Sequence, residues 1–128
     1  MKQLDLKAML KQQRAFVRER NWERFHTPKN LSMALAGEAA ELMEIFQWLS
    51  QSESKSIMQD PAKAMAVRHE LADILSYLLR ISDVLDVDLE PAFREKMEHN
   101  RQKYPVKLAK GNARKYYELL KSKGLNQR

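Results

Sequence analysis

Apolar residues recur along this chain at three- and four-residue intervals, and no segment alternates with the two-residue period of a half-buried strand. From Leu4 to about Arg20, Leu6, Met9, Leu10, Phe16 and Val17 fall roughly on one side of a helix. Asn21 to Asn30 has the composition of a connecting loop, although it carries Trp22 and Phe25. A second helix is expected from a cap at Asn30 or Ser32 to about Leu49. After a polar stretch from Ser50 to Gln59, Asp60-Pro61 supplies a cap followed by proline at the first helical position, opening a third helix to about Leu85. Asp88-Leu89-Glu90-Pro91 opens a fourth, which ends before Pro105 because a residue preceding proline avoids the helical region. Beyond Gly111, Ala113 to Lys123 reads as either a short helix ending at Gly124 or a mobile tail. The predicted fold class is all-α: a four-helix bundle over residues 1–104 with a basic C-terminal extension over 105–128.

A length of 128 residues fits one domain. The absence of cysteine excludes disulfides, thiolate catalysis and Cys-based zinc sites. Charges interrupt every apolar run before it reaches membrane-spanning length. The opening residues Met1 to Asp5 lack the basic-then-apolar order of a signal peptide, so a cytoplasmic location is expected. The formal net charge of +6 invites a nucleic-acid reading. Its location argues otherwise. Residues 105–128 hold seven basic residues against Glu118 alone, which leaves 16 basic and 16 acidic residues before them. The body of the chain is neutral.

The chemistry is carried by carboxylates in unexpected company. Between Leu31 and Leu49 thirteen residues are apolar, and the only charges are Glu38, Glu41 and Glu44. Lys and Arg are missing between Lys29 and Lys55, so none of the three has a basic partner one turn away. At about 100° per residue, Leu31, Ala34, Glu38, Glu41, Ile45 and Trp48 form one stripe. The third helix repeats the pattern, with Glu70, Asp73, Tyr77 and Arg80 on one stripe among apolar neighbours. One such i, i+3 pair commonly marks a solvated face. Two pairs, each centred in an apolar helix and joined by room for a turn, suggest that four carboxylates converge. Burying one unpaired carboxylate costs several kcal/mol, and like charges add to that. Protons or a cation must neutralise such a cluster. Oxygen-only donors favour a hard ion, Mg²⁺ or Mn²⁺, which commonly leaves positions for water and phosphate oxygens. Such an ion would polarise a phosphoryl group and acidify a bound water.

These residues resemble a known signature. Glu38-x-x-Glu41 followed by Glu70-x-x-Asp73 is similar to the motif of the all-α NTP pyrophosphohydrolases, the MazG-like superfamily. Trp22 to Phe25 with His26-x-Pro28-Lys29-Asn30-Leu31, Phe46-Gln47-Trp48, and Lys96-Met97-x-x-Asn100-Arg101-x-Lys103-Tyr104-Pro105 look like its dCTP pyrophosphatase branch. The resemblance runs from about residue 15 to 116. It implies cleavage between the α- and β-phosphates of a (deoxy)nucleoside triphosphate, dCTP or a related pyrimidine, to monophosphate and pyrophosphate. It also implies Mg²⁺ held by Glu38, Glu41, Glu70 and Asp73, and a homodimer or homotetramer. Glu38 or Glu41 would orient or deprotonate the attacking water, and the sequence leaves that choice open.

Candidate substrate contacts follow from side-chain chemistry. Trp22, Phe25 and Trp48 offer faces for stacking on a base. His26 and Asn30 offer hydrogen bonds to a base edge or sugar, and Tyr77 and Arg80 extend the acidic stripe toward a phosphate or sugar. Arg80 has the alternative of pairing with Glu44 or Asp83. Lys96 and Asn100, with Lys103 and Tyr104, form a stripe suited to a polyphosphate and equally to solvent. A second reading is a nucleic-acid-associated protein acting through the basic tail. Its weakness is that the tail interleaves its charges with no aromatics beyond Tyr116 and Tyr117, so nucleic acid is not the expected partner.

Overall fold

The computed structural model describes residues 1–114 together with Glu118 and Lys121. Among them there is no strand. The helices are α1 (Leu6–Glu19), α2 (Pro28–Phe46), α3 (Gln51–Lys55), α4 (Pro61–Val84), α5 (Leu89–Lys103) and α6 (Val106–Ala109), with 3₁₀ turns at Glu23–Phe25 and Ile57–Gln59. The chain divides into two compact units, Met1–Val87 and Asp88–Arg128. The four expected principal helices are therefore α1, α2, α4 and α5. No described helix is long and apolar enough to cross a membrane. The helix-or-tail alternative for Ala113 to Lys123 falls mostly outside the described residues.

Local chemistry sets the boundaries. Asp5 caps α1 by accepting from the Ala8 amide at 2.9 Å. Asn21, at φ 52, takes the left-handed conformation that Asn tolerates, and this turns the chain out of α1 and into Trp22. The second helix starts earlier than a cap at Asn30 or Ser32 would place it. Thr27 is the cap, accepting from the Asn30 amide at 3.2 Å, and Pro28 occupies the first helical position. It also stops at Phe46, short of Leu49. The polar stretch after it is structured: Ser50 and Glu53 form a reciprocal capping box that starts α3. Asp60 caps α4 as the sequence predicts, accepting from Ala62 and Lys63.

In the first unit α2 packs along α4 more extensively than any other pair of elements, and α1 and the Ile57–Gln59 turn also lie on α4. The buried apolar residues are few: Val17, Leu31, Ile57, Ala64, Val67 and Leu79, with Leu31 at 1% exposure; Arg80 and Ser82 are also buried. This small core fixes the α2–α4 contact, and that contact positions the carboxylates.

Candidate active site

Glu38 and Glu41 lie one turn apart in the middle of α2, and Glu70 and Asp73 one turn apart in the middle of α4. Because the two helices lie side by side, Glu38, Glu41 and Glu70 each bring a carboxylate oxygen within 4.8 Å of the others. Asp73 stands at the edge of this trio, near enough for its charge to act on Glu38 and Glu70. Oε2 of Glu38 and Oε2 of Glu70 are buried, and neither has a hydrogen-bond partner.

The electrostatics follow directly. Burial, then the proton sharing and repulsion of Glu41, and the proximity of Glu70 and Asp73, push Glu38 up to about 7. Glu70 is also raised, chiefly by burial. Burial and like-charge repulsion thus favour the protonated form of Glu38 up to about neutral pH when no cation is bound. Three convergent carboxylates, with a buried unpartnered oxygen on Glu38 and another on Glu70, fit a hard divalent cation, which would compete with protonation of Glu38. The cluster can hold a metal ion.

A second feature lies further along α4. A small cavity of about 90 Å³ is lined by Gln13 and Phe16 of α1, by Trp22 and His26 of the following turn, and by Tyr77 and Arg80 of α4. Trp22 meets Phe16 edge-on, with ring centroids 5.8 Å apart and planes at 74°. Arg80, 9% exposed, donates from Nε to Nδ1 of His26 at 2.9 Å and from Nη1 to Asp83 at 3.3 Å. Its ion-pair partner is thus Asp83, one of the two the sequence offered. Burial and the Arg80 charge hold His26 below the usual histidine range. Tyr77 follows Asp73 by one turn, a rise of about 6 Å along the helix, so cavity and carboxylates share one face of α4.

The candidate residues therefore separate. Glu38, Glu41 and Glu70 come together with Asp73 beside them, and Trp22, His26, Tyr77 and Arg80 come together one turn on. Phe25 does not line the cavity; the Arg24 guanidinium lies 4.6 Å from its ring centroid. Asn30 donates from Nδ2 to the Phe25 carbonyl at 3.0 Å and so holds the turn that carries Trp22 and His26. Trp48 sits in the turn after α2 at 87% exposure, because the helix ends before the stripe reaches it. Lys96, Asn100 and Tyr104 belong to the second unit, where the Tyr104 amide donates to the Asn100 carbonyl at 2.8 Å. Sequence reasoning missed Gln13, whose amide nitrogen donates to the carbonyl and hydroxyl of Ser76 at 2.6 and 2.8 Å while Oε1 is buried without a partner. No periodicity links residues 13 and 76, so nothing along the chain signals that contact.

The model of the MazG-like family matches residues 34–119, a span that includes all four carboxylates. The chain belongs to the MazG-like family. Among its MazG-like relatives, dCTP pyrophosphatase 1 of Rattus norvegicus is 46% identical over 104 residues, and the Homo sapiens protein of the same name is 44% identical over 104 residues. In both cases the match covers 81% of this chain and 61% of the relative, so the chain spans about three-fifths of the length of these curated relatives. A crystal structure of a pyrophosphatase from Archaeoglobus fulgidus DSM 4304 superposes with a TM-score of 0.74 at 38% identity, covering 82% of this chain and 96% of that one. The fold is common to this chain and that pyrophosphatase.

Proposed function

We propose that this MazG-like chain is a Mg²⁺-dependent nucleoside triphosphate pyrophosphohydrolase that cleaves dCTP or a related pyrimidine nucleotide to monophosphate and pyrophosphate. The observation that carries the reading is the pair of orphaned buried oxygens on Glu38 and Glu70, with the aromatic cavity about two helical turns further along α4 from Glu70. The activities named for the relatives agree with it.

Glu38, Glu41, Glu70 and Asp73 would hold the ion. Mg²⁺ bound there would neutralise phosphate oxygens and acidify a water. The chain's own groups do the rest. Glu38 or Glu41 orients the water and accepts its proton. Trp22 and Tyr77 present ring faces to the base, and His26 and Arg80 present donors to its acceptors or to the sugar. For Lys96, Asn100 and Tyr104 the proposed role is contact with the substrate's phosphates, resting on the resemblance; Phe25, Asn30 and Trp48 are retained as substrate-side candidates on the same ground.

A homodimer or homotetramer is part of the proposal. Met33 and Met43 of α2, Met65 and Leu71 of α4, and Trp48 are large apolar side chains exposed on the single chain, with Met33 at 62%. An apolar groove of about 430 Å³ between α1 and α4 adds to that surface. Self-association covers such faces. The test is a kcat/KM comparison across the dNTPs and NTPs with Mg²⁺ present. The reading expects a pyrimidine preference; no turnover of any triphosphate would overturn it.

A further inference from the structure

Asp83 carries a network that leads into the aromatic cavity without lining it. Its carboxylate accepts from Nε of Arg14 at 2.9 Å through Oδ2 and from Nη2 of Arg14 through Oδ1, and Oδ2 also accepts from Arg80 at 3.3 Å. Arg14 is on α1 and Asp83 on α4, so this fork ties the two helices together. Arg80 passes the link on to Nδ1 of His26. Both arginines hold Asp83 below the usual carboxylate range.

The chemistry of the pairing is directional. A guanidinium has donors only and keeps its proton, so the ring nitrogen it faces must carry a lone pair. His26 is then neutral, with its hydrogen on Nε2, and it is a donor toward whatever enters the cavity. A histidine free to rotate and exchange forms would offer that donor only part of the time, and apparent affinity falls in proportion. Arg80 holds the ring only while Arg80 is itself held. A nearly buried guanidinium needs a carboxylate, and Asp83 is the one placed for it.

We propose that Asp83, gripped by Arg14, is a positioning residue: it anchors Arg80 and through it fixes His26 as an Nε2–H donor to an acceptor atom on the nucleobase of the substrate. The ligand's identity rests on the function proposed above; the state of His26 does not, because it is a property of the ligand-free protein.

The test is ¹⁵N NMR of the full chain followed by kinetics. Wild type should give a slowly exchanging Arg80 Nε–H with through-hydrogen-bond coupling to Nδ1 of His26, and His26 should carry its hydrogen on Nε2. Asp83→Ala should abolish the coupling and raise KM for dCTP about tenfold, the loss of roughly one hydrogen bond, with kcat within about twofold. Asp83→Asn, which keeps an acceptor, should show a smaller rise. An uncoupled Arg80 or an Nδ1–H histidine in wild type overturns the proposal, and so does an Asp83→Ala enzyme with unchanged KM. The wild-type spectrum decides even if a variant does not fold. If the coupling is present and lost as stated but no nucleotide is turned over, the proposed function fails and the positioning role stands.

Discussion

Glu38 of α2 and Glu70 of α4 face each other across the central helix pair with one buried, unpartnered oxygen apiece. A fold tolerates that arrangement at a cost unless something neutral or positive occupies the gap. A divalent cation should therefore stabilise the protein. At a hundredfold excess over Kd the gain is about 2.7 kcal/mol, or roughly 10 °C in Tm for a domain of this size. Calorimetry with Mg²⁺ and with EDTA measures it, and Glu38→Gln should remove most of the difference.

The same cluster sets a pH dependence whose sign can be worked out. Glu38 keeps its proton up to about 7 in the folded chain, against an ordinary value of 4.5. Between those values the folded state binds more protons than the unfolded one, so stability without a cation falls as pH rises through the window. Glu70 acts in the same direction. Asp83 is shifted downward from 3.8, so its contribution is lost only as pH falls below that range. Because a cation must displace the cluster's proton, its stabilising effect should grow from pH 5 to 8. Urea midpoints over that range, with EDTA and with Mg²⁺, should diverge; parallel curves would show that the cluster takes up no cation.

Trp22 separates binding from folding. Its ring is partly exposed and touches Phe16 edge-on. Trp22→Ala should remove base stacking worth about 1–3 kcal/mol, raising KM by about 5- to 150-fold, while stability drops by no more than about 1.5 kcal/mol. Steady-state kinetics beside thermal melts make the comparison. Leu31→Ala should show the converse: a loss of about 2–5 kcal/mol from the core, with KM little changed in the fraction that remains folded.

The exposed apolar faces predict the assembly. Met33→Asp and Met65→Asp place charges on α2 and α4 where the single chain is open. Light scattering should show a wild-type oligomer and a smaller species for the double variant.

Much of the fold and half of the site are legible along the chain, and the division has physical reasons. Carboxylates set in apolar helices are anomalous wherever they occur, so Glu38, Glu41, Glu70 and Asp73 stand out from residue order alone. Asp60-Pro61 marks a helix start, and Thr27-Pro28 carries the same signal for α2, three residues ahead of the cap expected at Asn30. Trp48 falls on the acidic stripe only if α2 continues past Phe46, and angular arithmetic has no meaning beyond a helix end. The contacts of His26 with Arg80 and of Gln13 with Ser76 span 54 and 63 residues, and they exist only because α1 and the turn after it lie on α4. Local pattern carries no trace of such pairs.

³¹P NMR of dCTP incubated with the protein and Mg²⁺ identifies the products while they form. The account predicts dCMP and pyrophosphate in equal amounts, and loss of both with Glu38→Gln or Glu70→Gln. Release of dCDP and inorganic phosphate, or turnover that survives those substitutions, would contradict it.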